Sequence, residues 1–196
     1  MRKIIISLIF SGFVFALNIP LAYYKSYNYE KMGDYKDAIK VLIPIFKEYP
    51  KGYTINLRLG HLFFLDKKYN NSIEHYTKAS TILPASVEPK LGLIRNYLQM
   101  GKYDSALSLS NSIIKRDFYN YYGNYYLLLG LKYKKYKKEA KDVAKKMLAL
   151  YPTNVLYLQE LAKLEYESNK QKALKLFRDI LILDPNNVVA KEYLAK

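Results

Sequence analysis

The 196-residue sequence has no cysteine and no tryptophan. Without cysteine there can be no disulfide, no lipid on an N-terminal thiol, no thiolate metal site and no thiol nucleophile. Histidine is almost missing too. His61 and His75 are the only two, they fall on different helices of one segment, and neither belongs to a ligand-spaced cluster, so no metal site is expected. No serine is framed as Gly-x-Ser-x-Gly and no phosphate loop occurs. The carboxylate pairs Asp34/Asp37 and Glu165/Glu167 read as exposed helix-end residues. These absences point to a protein that is not an enzyme and has no cofactor. Acidic residues are also in short supply, 17 against 32 basic ones, which gives a net charge of +15.

What the sequence does contain is a period. A small residue returns every 34 positions at Ala38, Ser72, Ala106 and Ala140, and then after 33 at Ala173. Pro50, Pro84, Pro152 and Pro185 follow four of these by twelve residues; the third copy has Phe118 instead. Two markers in phase over most of the chain imply stacked repeats. Within the period, Leu59-Gly60, Phe63, Tyr69, Ser72-Ile73, Tyr76, Ala79 and Pro84 align with Tyr29, Gly33, Tyr35, Ala38-Ile39, Leu42 and Pro50, and with Tyr97, Gly101, Tyr103 and Ala106-Leu107.

This pattern resembles the tetratricopeptide repeat, a 34-residue helix–turn–helix. The resemblance covers about residues 19–186, with the family's tryptophan absent from every copy. It implies an all-α fold: a right-handed α-solenoid of about five repeats (19–52, 53–86, 87–120, 121–153 and 154–186) with a capping helix over 187–196. In the fourth copy Leu129-Gly130 and Tyr133 stand two residues too close to Ala140, which predicts a shortened turn. The fifth has Leu161-Ala162, Ala173, Phe177 and Pro185.

Elementary rules lead to the same fold. Ile55–Lys67 and Tyr69–Ile82 carry apolar residues at helical spacing. Gly33 and Gly101 lie between paired helices, where a left-handed residue is needed. The prolines stop helices between repeats, and Pro44, inside an apolar run, predicts a kink. After Asn186-Asn187, the segment Val188–Lys196 reads as a cap with Val188, Val189, Tyr193 and Leu194 facing inward.

Residues 1–16 read as a signal peptide or N-terminal membrane anchor: Arg2-Lys3 is followed by the uncharged apolar run Ile4–Leu17, with Val14-Phe15-Ala16 as a cleavage site and Pro20-Leu21-Ala22 as a weaker second one. This predicts an exported protein of the periplasm or cell envelope. Lys132, Lys134, Lys135, Lys137 and Lys138 crowd the fourth copy and form a candidate basic surface. Weak contact with an anionic membrane would suit them, and nucleic acid is excluded by export.

The family resemblance implies a protein or peptide partner bound along the first helices of the repeats. The matching positions are Tyr23, Tyr27, Leu57, His61, Phe64, Leu91, Arg95 and Leu98, with Tyr125 and Tyr126 from the fourth copy. An aromatic groove with few charges suits an apolar-anchored peptide or an amphipathic helix. The expected role is an envelope scaffold or adaptor; the alternatives are an accessory factor for outer-membrane, pilus or secretion assembly and a regulatory module for a cell-wall enzyme.

Overall fold

The computed structural model of the chain describes residues 18–196. The signal or anchor segment over 1–16 lies outside the described residues. Among the described residues twelve helices follow one another: α1 (Ile19–Lys31), α2 (Tyr35–Lys40), α3 (Ile43–Glu48), α4 (Tyr53–Leu65), α5 (Tyr69–Ile82), α6 (Glu88–Gln99), α7 (Tyr103–Ile114), α8 (Tyr121–Tyr133), α9 (Lys137–Leu150), α10 (Val155–Tyr166), α11 (Lys170–Leu183) and α12 (Val188–Leu194). No strand occurs among the described residues. Contacts run between sequence neighbours and between alternate first helices, α4 with α6 and α6 with α8. The fold is therefore an all-α solenoid whose first helices form one layer and whose second helices form the other. Among the described residues, no helix is long and apolar enough to cross a membrane.

The marker residues explain the stacking. Ala38, Ser72, Ala106, Ala140 and Ala173 are all fully buried, where a larger side chain would hold the paired helices apart. Ser72 also donates to the Gly60 carbonyl at 2.7 Å and accepts from the Asn96 amide at 2.9 Å. Its hydroxyl thus joins two successive first helices, and no alanine could do so.

The turns inside the first four repeats carry a second strict period, which the fifth breaks: Asn169, 34 residues after Lys135, has φ −152°. Gly33, Lys67, Gly101 and Lys135, each 34 apart, all have positive φ, between 58° and 78°. In each turn the next N–H reaches back to a carbonyl near the helix end: Asp34 to Tyr29, Lys68 to Phe63, Lys102 to Tyr97 and Tyr136 to Leu131, at 2.8–2.9 Å. That six-residue closure needs a left-handed residue, and glycine takes that conformation with least strain. The fourth turn is therefore full length, contrary to the shortening inferred from Leu129-Gly130. Helix α8 begins at Tyr121, 68 residues after the start of α4 at Tyr53, so Leu127-Leu128, not Leu129-Gly130, corresponds to Leu59-Gly60.

Prolines close the repeats by acting on the residue before them. Tyr49, Leu83, Tyr151 and Asp184 end their helices with φ between −122° and −139° and ψ between 59° and 86°. A following proline disfavours the helical region, so the chain leaves the helix there. The third repeat, without proline, ends α7 at a residue that is still helical, Lys115. Pro44 has the interior effect expected of it: it splits the second helix of the first repeat into α2 and α3, with Pro44 in the first turn of α3.

At the far end α12 covers the last repeat. Asn187 caps it by accepting from the Ala190 N–H at 2.9 Å. Tyr193 stacks on Phe177, ring centroids 4.6 Å apart. The inward residues are Val189, Ala190, Tyr193 and Leu194. Val188, read as inward from its sequence, is exposed; as the first helical residue it precedes the turn that faces Phe177.

Candidate functional site

Helices α1, α4, α6 and α8 line a groove made of two adjoining cavities of about 730 and 330 Å³ that share Leu57, His61 and Glu88. Tyr23, Tyr27, Leu57 and His61 line the larger one. Leu57, His61, Leu91 and Arg95 line the smaller one, which is completed by Tyr122 and Tyr126 of α8. Six of the eight residues singled out from the sequence thus share one surface. Phe64 lies beneath it, with the Arg95 guanidinium 4.2 Å over its ring and Tyr69 on another side. Leu98 is not on the groove wall; it is 9 % exposed and packs with Ile94, Ala106 and Ile113. It follows Arg95 by three residues, and that rotation about α6 turns it toward α7. Tyr125 faces Tyr157 of the next repeat, at 5.8 Å.

The larger cavity contains a charge cluster in which the carboxylate is fully engaged and one guanidinium nitrogen, the buried Arg58 Nε, has no partner. Arg58 is buried and donates to both Glu30 and Ser26, its guanidinium 3.8 Å above the Tyr27 ring. His61 Nε2 lies 2.8 Å from the other Glu30 oxygen. Burial pushes the Glu30 carboxyl upward, but hydrogen bonds from His61 and Arg58 outweigh that and hold it below the usual carboxylate range. Glu30 is thus matched within the protein. Arg95 differs: among the described residues it has no acidic partner, only the Phe64 face.

The floor of the smaller cavity was not legible from the first helices. Tyr76 belongs to α5 in the other layer, yet its ring reaches through the α4–α6 contact and lines this cavity. Two glycines let it pass. A methyl group built on Gly60 would lie 2.9 Å from the ring, and one on Gly92 would lie within 2.6 Å of three of its outer carbons. Burial pushes the Tyr76 hydroxyl up to about 12, so it remains a proton donor. The paired glycines at one helix contact were the only sequence signal for it.

The lysines of the fourth repeat serve mainly to join repeats. Lys132 pairs with buried Glu160, Lys134 with Asp104 and Lys137 with Glu167. Lys138 reaches Asp142 at 3.6 Å. Lys141 and Lys172 hold Glu165 at 2.8 and 2.9 Å. Glu165, read as exposed in the sequence, is buried. Lys135, with its left-handed backbone, stands exposed with no ion pair among the described residues. The exposed pairs contribute little individually, but they neutralise much of the apparent basic surface.

Several solved structures share this architecture. A tetratricopeptide repeat protein from Parabacteroides merdae superposes with a TM-score of 0.75 at 19% identity, over 90% of this chain and 70% of that one. A thermophilic TPR protein of Thermus thermophilus gives 0.72 at 16% identity, over 90% and 96%. MamA from Desulfovibrio magneticus gives 0.72 at 15% identity, over 86% and 96%. The fold is that of a tetratricopeptide-repeat protein. No family model and no curated protein matches the sequence. At these identities the likeness extends to the repeat architecture alone.

Proposed function

We propose that the protein is a non-catalytic scaffold that holds a segment of a partner protein, an apolar-anchored peptide or amphipathic helix, along the α1–α4–α6–α8 groove. One observation carries this reading: an apolar and aromatic trough beside a cation, Arg95, that has no acidic partner among the described residues and rests on Phe64. Groove binding of this kind draws most of its energy from a few aromatic or arginine anchors. A photo-cross-linker at Leu57 should trap a partner in cells. Arg95→Ala should weaken that capture by about 30-fold, the effect of losing roughly 2 kcal/mol at an anchor. Its melting temperature should hardly change, because Arg95 is not in the core. Phe64→Ala is less clean, since Phe64 also packs on Tyr69. Replacing Lys134, Lys135, Lys137 and Lys138 with Gln should matter much less. If the lysine variant alone loses the partner, the functional surface is the turn of the fourth repeat and the groove reading fails.

The proposed setting is the cell envelope, with the scaffold outside the cytoplasm. The support is the Arg2-Lys3 pair before the apolar run Ile4–Leu17. Terminal sequencing of fractionated protein should give a mature chain beginning near Leu17 or Tyr23, or else intact Met1 in the membrane fraction if the segment anchors. Intact Met1 on protein from the soluble cytoplasmic fraction would contradict export.

A further inference from the structure

In a solenoid of this topology the turns between repeats all lie along one edge and the turns within repeats along the other. The two edges differ in how regularly apolar residues recur: the within-repeat edge exposes Met32, Tyr133 and Tyr136, beside two of its five turns. The within-repeat edge carries Gly33, Lys67, Gly101 and Lys135 and the paired lysines of the fourth repeat. The between-repeat edge is apolar at every step: Tyr49, Leu83, Phe118, Tyr119, Tyr151 and Leu183 are each 42–57 % exposed. Their recurrence has a local cause. They stand at or just beyond the ends of second helices, where three of them (Tyr49, Leu83 and Tyr151) directly precede a proline and have left the helix. They therefore form a line along the solenoid, not a pocket.

Cations border this line. Among the described residues, Lys47, Lys51, Lys115, Arg116 and Lys145 are exposed and have no ion pair. A row of tyrosine, phenylalanine and leucine flanked by these five unpaired cations, against the two exposed carboxylates Glu48 and Asp117, matches the interface of an anionic bilayer, where aromatic rings sit at headgroup depth and lysines meet lipid phosphates. A second copy of this chain fits poorly, because edge-to-edge contact would bring these same cations together in a molecule of net charge +15. We infer that the between-repeat edge is a membrane-contacting surface that lies on anionic lipid and leaves the groove open to a partner.

The absence of tryptophan gives a direct test on the full chain. Tyr151→Trp places a reporter on the proposed edge, and Tyr136→Trp places one on the opposite edge. Both positions are exposed to a similar degree. With phosphatidylcholine vesicles containing about a third phosphatidylglycerol, the Tyr151→Trp emission should shift to the blue and that of Tyr136→Trp should not. In sedimentation with the same vesicles, the combined Phe118→Ser, Tyr119→Ser and Tyr151→Ser variant should bind at least about ten-fold more weakly. Replacing Lys115 and Arg116 with Gln should cost about five-fold in affinity per cation. The inference is overturned if neither reporter shifts and the protein stays in solution, or if Tyr136→Trp shifts and Tyr151→Trp does not. It is equally overturned if Tyr151→Trp shifts without vesicles as the protein dimerises, which would assign the edge to a second copy.

Discussion

Gly92→Ala is expected to lower the melting temperature by roughly 4–8 °C, the equivalent of about 2 kcal/mol in a chain of this size. The sign is the informative part. In the middle of a helix, alanine normally stabilises by about 1 kcal/mol relative to glycine. Here the new methyl group would lie within 2.6 Å of three carbons of the Tyr76 ring, well inside van der Waals contact. The ring has little room to swing away, because it also lies against the Gly60 face of α4, so closely that a methyl group there would stand 2.9 Å from it. Either α4 and α6 separate or Tyr76 leaves its place, and both lose buried contact. A double-mutant cycle isolates the cause: Tyr76→Leu costs stability on its own but should restore much of what Gly92→Ala loses. Thermal unfolding of the four proteins decides it. A Gly92→Ala protein as stable as the parent would mean that Tyr76 is not wedged between the helices.

Stability should also fall between pH 6.5 and pH 4, on the order of 3 kcal/mol across the window, because of His75. Its ring is buried, stacked on Phe63 with centroids 5.3 Å apart and edge-on to Phe46 at 4.9 Å. The Asn56 amide donates to the Pro50 and Gly52 carbonyls, which leaves its oxygen to accept from His75 Nδ1 at 3.0 Å. That arrangement suits a neutral imidazole. Burial, reinforced by the charge of Lys78 and only partly opposed by Glu74, lowers its pKa to about 4. Between pH 6.5 and 4 the unfolded chain therefore holds a proton that the folded chain refuses. The stability is whole above pH 6.5 and is progressively lost as pH falls toward 4. Urea unfolding at a series of pH values should show this slope in the parent and a much flatter profile in His75→Gln. An unchanged slope in the variant would place its origin elsewhere. Glu165 acts in a lower window. Burial raises its pKa, but the hydrogen bonds from Lys141 and Lys172 prevail and bring it to about 2. Its contribution is present above the ordinary carboxylate range and is lost as pH falls toward 2.

The two predictions concern residues of different legibility. His75 could be seen in the sequence as a histidine on a second helix, but its aromatic sandwich could not, since Phe46 comes from α3 and Phe63 and Asn56 from α4. Gly92 lies outside the repeat pattern altogether. The left-handed turns are an intermediate case. Gly33 and Gly101 marked two of them, while Lys67 and Lys135 hid the same conformation at the same spacing, because a lysine in that position gives no compositional sign of the strain it bears.

The amino-acid sequence alone determined what is local and periodic in this protein: the helix pairs, the small residue at each tight contact, the proline stops and the kink at Pro44. These depend on backbone conformation and on spacing along one chain, so each copy repeats the evidence. The tertiary structure alone decided how one repeat is rotated on the next. That rotation places Leu98 in the core and Arg95 in the groove, sends Tyr76 from one layer into the other, and sets Lys134 against Asp104 thirty residues away. It is fixed by the joint packing of side chains from three or four helices, and such packing has no signature in the spacing of any one of them.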